Sequence, residues 1–158
     1  MPSPNNAQPG PHPLDRAVAQ LLHIGVLPGE EALYYVSYRD GGGAQLDGRK
    51  ANRIIFAKDG LPPVHRQGFW SLTMYDSKSL LVDNPIRRYV IRPDSDGLTR
   101  GADGSLTLCL QHERPVGTPS GNWLPAPDGN FIVALRCYLP KQEALTGKWF
   151  PPGITSVP

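Results

Sequence analysis

Short runs in which apolar and polar residues alternate dominate the middle of this 158-residue chain and predict β-strands. The plainest of them is the segment 69–76, FWSLTMYD. Because side chains alternate across a strand, this segment has one apolar face and one hydroxylated face. The apolar face consists of Trp70, Leu72 and Met74, and the hydroxylated face of Ser71, Thr73 and Tyr75. The first predicts a core contact. The second predicts either a ligand-contacting wall or a half-buried sheet surface.

Further strands are predicted by the same alternation and by runs rich in β-branched and aromatic residues. They span residues 32–40, 53–57, 80–82, 89–91, 106–111 and 131–139. Turn signals separate them, and the glycine run 41–43 predicts a hairpin turn, since no Lys-Ser or Lys-Thr pair and no helix follow it. Seven or eight short strands spaced by turns favour an all-β fold, either a sandwich or a barrel.

One short amphipathic helix is predicted at 14–27, where apolar residues recur at helical spacing before the turn Pro28-Gly29. Residues 1–13 are rich in Pro, Asn and Gly and are expected to be disordered. The chain length suits one core. We therefore expect a single domain over residues 14–152, with Trp149 packing the last segment onto the sheet and a loose tail at 153–158.

Composition supports many turns and narrows the choice of partners. The chain has 17 Gly and 18 Pro, roughly twice the usual share. A net charge of +2 is too small for attachment to nucleic acid or anionic lipid, and no apolar run approaches a membrane span. The N-terminus lacks a signal-peptide pattern, which predicts a cytoplasmic location. Buried free thiols at Cys109 and Cys137 are favoured over a disulfide between strands.

No familiar catalytic motif is present: the sequence lacks a G-x-S-x-G elbow, a P-loop and a dinucleotide fingerprint. The four histidines lack metal-ligand spacing, so neither a metal nor another cofactor is expected. His112 and Glu113 are neighbours at a strand end and are expected to point to opposite sides. Either could act as a general base. Together with Tyr75 and Asp76, they are the candidate catalytic residues.

A distributed set of polar and aromatic side chains is the better candidate for a site. Arg136 and Tyr138 share the polar face of one strand, and Thr107 and Gln111 share that of another. If these faces align with the hydroxylated face of segment 69–76 in one sheet, they form a surface suited to a polar, uncharged or anionic small ligand. The alternative is the solvated or inter-sheet face of an antiparallel sandwich.

Two further residues have both a structural and a functional interpretation. Arg88 could pair with Asp83 or Asp76, or it could hold a ligand carboxylate or sulfate through its two-pronged guanidinium group. Trp123, in the segment NWLPAP, could close the end of the core or stack on a ligand. Residues 122–127 around it are expected to form a rigid loop.

Five motifs, in order, resemble a bacterial family: FWSLTMYD, NPIRRY, DGSLTLCLQ, NWLPAPDGNFIVALRCYLPK and LTGKWFPP. Over residues 32–152 the chain resembles the domain of unknown function 1214, the C-terminal domain of the combined 1254/1214 proteins, as a stand-alone or truncated version. This resemblance implies a jelly-roll-like antiparallel β-sandwich and no established reaction. The segment 91–96 departs from the family pattern, so contacts made there in relatives do not carry over. Positions that match the pattern are Trp70, Ser71, Tyr75, Asp76, Asn84, Arg88, Tyr89, Asn122, Trp123, Arg136, Tyr138 and Trp149.

The leading functional hypothesis is a small-molecule-binding β-sandwich for a carbohydrate-like or amphipathic ligand. The candidate ligand-binding residues are Ser71, Thr73, Tyr75, Arg88, Gln111, Trp123, Arg136 and Tyr138. A cofactor-free hydrolase, isomerase or cyclase is one alternative, and a structural or oligomerisation module that forms a homodimer is another. No metal, nucleic-acid or membrane partner is expected.

Overall fold

A computed structural model describes residues 27–157 of the chain. The described strands are β1 (Ala32–Ser37), β2 (Ala51–Phe56), β3 (Trp70–Asp76), β4 (Val90–Ile91), β5 (Leu106–Gln111), β6 (Trp123–Pro125), β7 (Phe131–Tyr138) and β8 (Thr155–Val157). One short helix, α1 (Gln142–Leu145), and a 3-10 turn at Ser120–Asn122 accompany them. The segment predicted to be disordered at 1–13, and all but the last residue of the helix predicted at 14–27, lie outside the described residues.

The strands form two four-stranded sheets, which confirms the predicted all-β class. The first sheet has the order β1-β7-β3-β4, and all of its neighbouring strands are antiparallel. The second sheet has the order β6-β5-β2-β8 and is antiparallel except for the parallel pair of β5 and β6. Strands that are distant in sequence are neighbours in space, so most of the pairing is non-local.

One hydrophobic core receives the inner faces of both sheets. Trp70, Leu72 and Met74 of β3 are at most 4% exposed, so the predicted apolar face of this strand lies in the core. The second sheet contributes mainly Ile54, Phe56, Leu106, Leu108 and Leu110. Trp149 donates its indole N–H to the carbonyl of Gly60 at 3.1 Å and packs edge-on against Tyr35, as expected for a residue that anchors the last segment.

Three predicted segments differ from the structure. Residues 80–82 form only an isolated bridge, between Tyr75 and Leu81, because the turn after β3 is too tight for a ladder. The segment predicted as a rigid loop at 122–127 contains β6, whose parallel pairing with β5 has no local signal. Residues 155–157 are not a loose tail, since they pair with residues 51–53 of β2 as strand β8.

Both cysteines are buried free thiols, as favoured from the sequence, but they belong to different sheets. Cys137 of β7 lies in the core, where burial raises the pKa of its thiol to about 12. Cys109 of β5 lies on the side of the second sheet that faces away from that core.

Candidate functional site

The outer face of the first sheet brings together most of the polar residues that the sequence singles out. Pairing of β1, β7 and β3 places Tyr34, Arg136 and Ser71 in one row across the three strands. Alternation along β3 and β7 adds the remaining members on the same side. We call this surface the arginine face; its members are Tyr34, Ser71, Thr73, Tyr75, Arg136 and Tyr138.

Arg136 is the centre of the arginine face. Its Nη1 donates a hydrogen bond to the hydroxyl of Thr73 at 2.9 Å, and its Nη2 donates one to the hydroxyl of Tyr75 at 2.7 Å. The guanidinium carbon also lies 5.9 Å from the ring centre of Tyr34 and 5.6 Å from that of Tyr75, within the range of cation–π attraction. The guanidinium group is therefore held in one place by neutral hydroxyls and by aromatic rings.

No carboxylate among residues 27–157 forms an ion pair with Arg136, although its side chain is half-buried. A guanidinium group carries five N–H donors, and the contacts with Thr73 and Tyr75 use two of them. Both hydroxyls accept from Arg136, so each still has a hydrogen to donate. An anionic oxygen placed here would meet a positive charge and up to two hydroxyl donors.

The rings around Arg136 give the face an apolar border. Tyr138 stacks on Phe69, with ring centres 4.5 Å apart and planes inclined by 22°. Burial raises the pKa of Tyr34, and the nearby phenol of Tyr138 raises it further, whereas a hydrogen bond with the backbone of Leu27 and the charge of Arg136 lower it. Tyr34 therefore stays neutral near pH 7. The face combines one fixed cation with uncharged aromatic surface.

One member of the arginine face, Tyr34, and one neighbouring ring, Phe69, have only a weak signal in the sequence. Tyr34 lies in a run of aromatic and β-branched residues, ALYYVS, whose polar face was not singled out. It joins the site because β1 pairs with β7, which is a long-range event. Phe69 directly precedes β3 and is 41% exposed. An exposed aromatic residue beside a predicted polar face is the signal that could have identified it.

Gln111 and Thr107 do not join the arginine face, contrary to the predicted alignment in one sheet. Both lie on β5, which belongs to the second sheet. The side-chain nitrogen of Gln111 donates to the carbonyl of Glu113 at 2.8 Å, and its buried oxygen has no hydrogen-bond partner among the described residues. Gln111 therefore organises the end of its own strand, in the other sheet from Arg136.

The side chains of Arg88 and Trp123 both donate hydrogen bonds to backbone carbonyls. Nη1 of Arg88 donates to the carbonyl oxygens of Ser120 and Trp123. Neither predicted ion pair, with Asp83 or Asp76, is formed. The indole N–H of Trp123, a residue only 7% exposed, donates to the carbonyl of Gln111 at 2.9 Å. These bonds tie the loop after β3 and the 3-10 turn to the second sheet.

The four candidate catalytic residues are not brought together. Tyr75 belongs to the arginine face, whereas the carboxylate of Asp76 accepts the backbone N–H groups of Lys78 and Leu80 and so forms the turn after β3. His112 and Glu113 follow the end of β5 in the second sheet. Their side chains do not point to opposite sides: Nε2 of His112 lies 3.8 Å from Oε1 of Glu113, because alternation ends with the strand. Both side chains are substantially exposed.

The described part of the chain shows no group of three or more His, Cys, Asp and Glu side chains suited to a metal ion. Between residues 27 and 157, no helix has the length and apolar character that crossing a membrane requires.

Two four-stranded sheets with one short helix among the described residues define an all-β protein. The chain belongs to the family described as protein of unknown function (DUF1214), whose family model matches residues 31–142. This confirms the resemblance carried by the ordered motifs. Among curated proteins, nothing matches.

Similar solved structures share this fold. The crystal structure of the VPA0106 protein from Vibrio parahaemolyticus has a TM-score of 0.74 and 27% identity over 94% of this chain and 36% of its own. A putative uncharacterized protein from Burkholderia cenocepacia has a TM-score of 0.55 and 18% identity over 87% of this chain and 32% of its own. The chain therefore spans about a third of the length of these solved relatives.

Proposed function

We propose that this domain binds a small organic anion with a hydroxylated or amphipathic body on the arginine face. One observation carries the proposal: a half-buried guanidinium group is held by the hydroxyls of Thr73 and Tyr75 and has no carboxylate partner among residues 27–157. A buried or half-buried charge is normally paired. A ligand carboxylate is the partner that the fork geometry of arginine fits best.

The surrounding side chains support the rest of the ligand. The rings of Tyr34 and Tyr75 flank the guanidinium group, and the stacked pair of Phe69 and Tyr138 extends the aromatic surface along the sheet. Aromatic rings favour the apolar faces of sugars and alkyl chains, whereas hydroxyls fix orientation. Arg136 would hold the anionic group, and Thr73 and Tyr75 would hold Arg136 and donate to the ligand.

The test uses glucuronate and octanoate as anionic probes, with glucose and octanol as their neutral counterparts. In ¹⁵N–¹H spectra of the full chain, we expect a carboxylate probe to shift the amide signals of Ser71, Thr73 and Tyr75. Arg136→Gln should weaken that binding by about 10- to 150-fold, since a hydrogen bond to a charged group contributes about 1.5–3 kcal/mol. Lys58→Gln, at an exposed position just after β2 of the second sheet, is the matched control and should bind like the parent.

Equal binding of carboxylates and neutral counterparts would contradict the proposal, as would a folded Arg136→Gln variant that binds like the parent. Thr73→Val serves as a second variant. It removes one hydrogen-bond acceptor of Arg136, while the charge of Arg136 and the shape of residue 73 stay the same. Mass spectrometry of small molecules that co-purify with the protein would then identify the natural ligand.

A structural or oligomerisation module is the second candidate, favoured by the exposed ring of Phe69 beside Tyr138. The solved relatives are about three times as long as this chain, so in them a neighbouring domain could occupy the same face. A homodimer that is lost in Arg136→Gln, without any response to the carboxylate probes, would support this candidate over ligand binding.

Two finer proposals remain from the sequence. A cofactor-free enzyme would have to use Tyr75 as its acid or base on the arginine face, since Asp76, His112 and Glu113 lie elsewhere. The jelly-roll variant of the two-sheet architecture is supported by the non-consecutive strand orders β1-β7-β3-β4 and β6-β5-β2-β8.

A further inference from the structure

A second candidate site lies on the outer face of the second sheet, independent of the arginine face. There a cleft of about 380 Å³ opens between β2, β5 and the loops that follow β4 and β5. Its floor is the outer side of β5, where Thr107 and Cys109 lie. Its volume falls in the lower part of the range for small-molecule sites, about 300–1,000 Å³. We call it the second-sheet cleft.

The lining of the second-sheet cleft is cationic and hydroxylated. Arg53 enters from β2, directly across the ladder from Cys109, and Arg100 enters from the loop after β4. Neither arginine forms an ion pair with a described residue. The hydroxyls of Ser105, Thr107 and Thr118 complete the polar lining. The lining thus holds two positive charges and no carboxylate.

One wall of this cleft is held by the side-chain amide of Asn122, while Arg100 makes only a long hydrogen bond, 3.5 Å, to the carbonyl of Gly104. Asn122, only 4% exposed, donates to the carbonyls of Thr99 and Thr107 and accepts from the N–H of Thr99. Any side chain on Gly121 would collide with the backbone of Gly97 and Leu98, so glycine permits this close approach. The cleft is therefore built before a ligand arrives, which lowers the entropic cost of binding.

The opposite wall is fixed in a similar way. The guanidinium group of Arg114 donates to the carbonyl of Thr118 at 2.9 and 3.3 Å, and the hydroxyl of Thr118 lies 3.8 Å from Sγ of Cys109. Asp103 is the carboxylate next to the lining residue Ser105; its Oδ1 accepts both the hydroxyl and the N–H of Ser105, which lowers its pKa. Asp103 is thus engaged in its own turn instead of neutralising Arg53 or Arg100.

We propose that the second-sheet cleft binds a small organic dianion of the phosphate-monoester type. A phosphate monoester carries a charge of about −1.5 to −2 at pH 7 and has three strong acceptor oxygens. Arg53 and Arg100 supply two guanidinium groups for it, and the hydroxyls of Thr107 and Thr118 supply neutral donors. The rest of the ligand would lie against Val116 and Pro119 at the side of the cleft.

The experiment compares glucose 6-phosphate with glucose in ¹⁵N–¹H spectra of the full chain at low ionic strength. We expect glucose 6-phosphate, and not glucose, to shift the amide signals of Thr107, Cys109 and Thr118. Arg53→Gln and Arg100→Gln should each weaken binding at least about tenfold, because each removes charge-assisted hydrogen bonds. Arg66→Gln is the matched control, since Arg66 is exposed and lies outside the cleft lining.

The result that would overturn the proposal is equal binding of the two sugars, or binding that survives both cleft substitutions in variants whose spectra remain folded. Arg53→Lys keeps the charge and should retain part of the affinity, which separates an electrostatic role from a structural one. The signals of Thr107, Cys109 and Thr118 report on the second-sheet cleft, whereas those of Ser71, Thr73 and Tyr75 report on the arginine face. Shifts confined to Ser71, Thr73 and Tyr75 would instead assign the phosphate to the arginine face and refute the second site.

Discussion

The outer faces of the two sheets use similar polar side chains in opposite ways. On the first sheet, Arg136 bonds the side-chain hydroxyls of Thr73 and Tyr75. On the second, Asn122 and Trp123 bond backbone carbonyls. A buried backbone group that loses its hydrogen-bond partner costs free energy, so a side chain that bonds such groups stabilises the fold. Substitution of a side chain that bonds only other side chains leaves every backbone group with its hydrogen-bond partner.

Arg88 and Arg136 show the same contrast between bonds to the backbone and bonds to side chains. Both are half-buried. The donors of Arg88 reach the carbonyls of Ser120 and Trp123, across more than thirty residues of sequence, and so connect the loop after β3 to the 3-10 turn and to β6. Arg136 connects neighbouring strands that the ladder already joins. We therefore expect Arg88 to contribute to stability and Arg136 to the proposed binding.

The largest change in the free energy of unfolding is expected at Asn122. Asn122→Ala should reduce the free energy of unfolding by about 2–4 kcal/mol, because it leaves the carbonyls of Thr99 and Thr107 and the N–H of Thr99 without their partner. Urea denaturation measures this as a lower midpoint with an unchanged slope. Asn130→Ala, at an exposed position, is the control and should stay within about 0.5 kcal/mol of the parent. Equal losses in the two variants would contradict the assignment.

A second test uses the buried neighbours of the arginine face. Tyr35 and Cys137 follow Tyr34 and Arg136 in sequence, but they point into the core, where burial raises both pKa values to about 12. In the unfolded chain the pKa is 10.0 for Tyr35 and 9.0 for Cys137. As the pH rises from these values towards 12, the unfolded state loses both protons while the folded state keeps them. Stability should therefore fall as pH rises above about 9, by up to about 1.4 kcal/mol per pH unit for each group.

The measurement is urea denaturation at several pH values between neutral and strongly alkaline. Cys137→Ala and Tyr35→Phe should each make the alkaline loss of stability shallower, and the double variant shallower still. The hydroxyl of Tyr35 is buried without a hydrogen-bond partner among the described residues, so its removal should cost little at neutral pH. A parent whose stability is constant across this range would show that these groups are not desolvated.

The smallest effect is expected at Thr73. Thr73→Val removes one acceptor from Arg136 but should change the free energy of unfolding by only about 1 kcal/mol or less, because the half-exposed guanidinium group can bond water instead. Thr107→Val is the matched control on the outer face of the second sheet, where the hydroxyl bonds no described residue. A loss at Thr73 as large as that of Asn122→Ala would place Arg136 among the structural residues.

Much of the fold could be predicted because strand alternation is a local property. The segment FWSLTMYD correctly assigned Trp70, Leu72 and Met74 to the core. By contrast, β6 and β8 are three residues long and depend on β5 and β2 for their pairing. Strands of that length carry too few residues for a periodic signal.

The candidate site was predictable in part for the same reason. Ser71, Thr73, Tyr75, Arg136 and Tyr138 were assigned to polar faces of their own strands, and β3 and β7 pair directly. The pairing register then aligned Ser71 with Arg136. Gln111 was placed with them in error, since nothing local distinguishes the polar face of one sheet from that of another. His112 and Glu113 were separated in error, since alternation does not extend past Gln111.

By itself, the sequence determined the strand class, the core side of β3, β5 and β7, and the family. Those properties depend on residue type and on a two-residue period, which neighbouring positions encode. Only the tertiary structure decided that Arg136 meets Tyr34 and Tyr75 while Arg53 and Arg100 border a cleft on the other sheet. Sheet membership and register are set by long-range packing of a shared core, and no short segment contains that information.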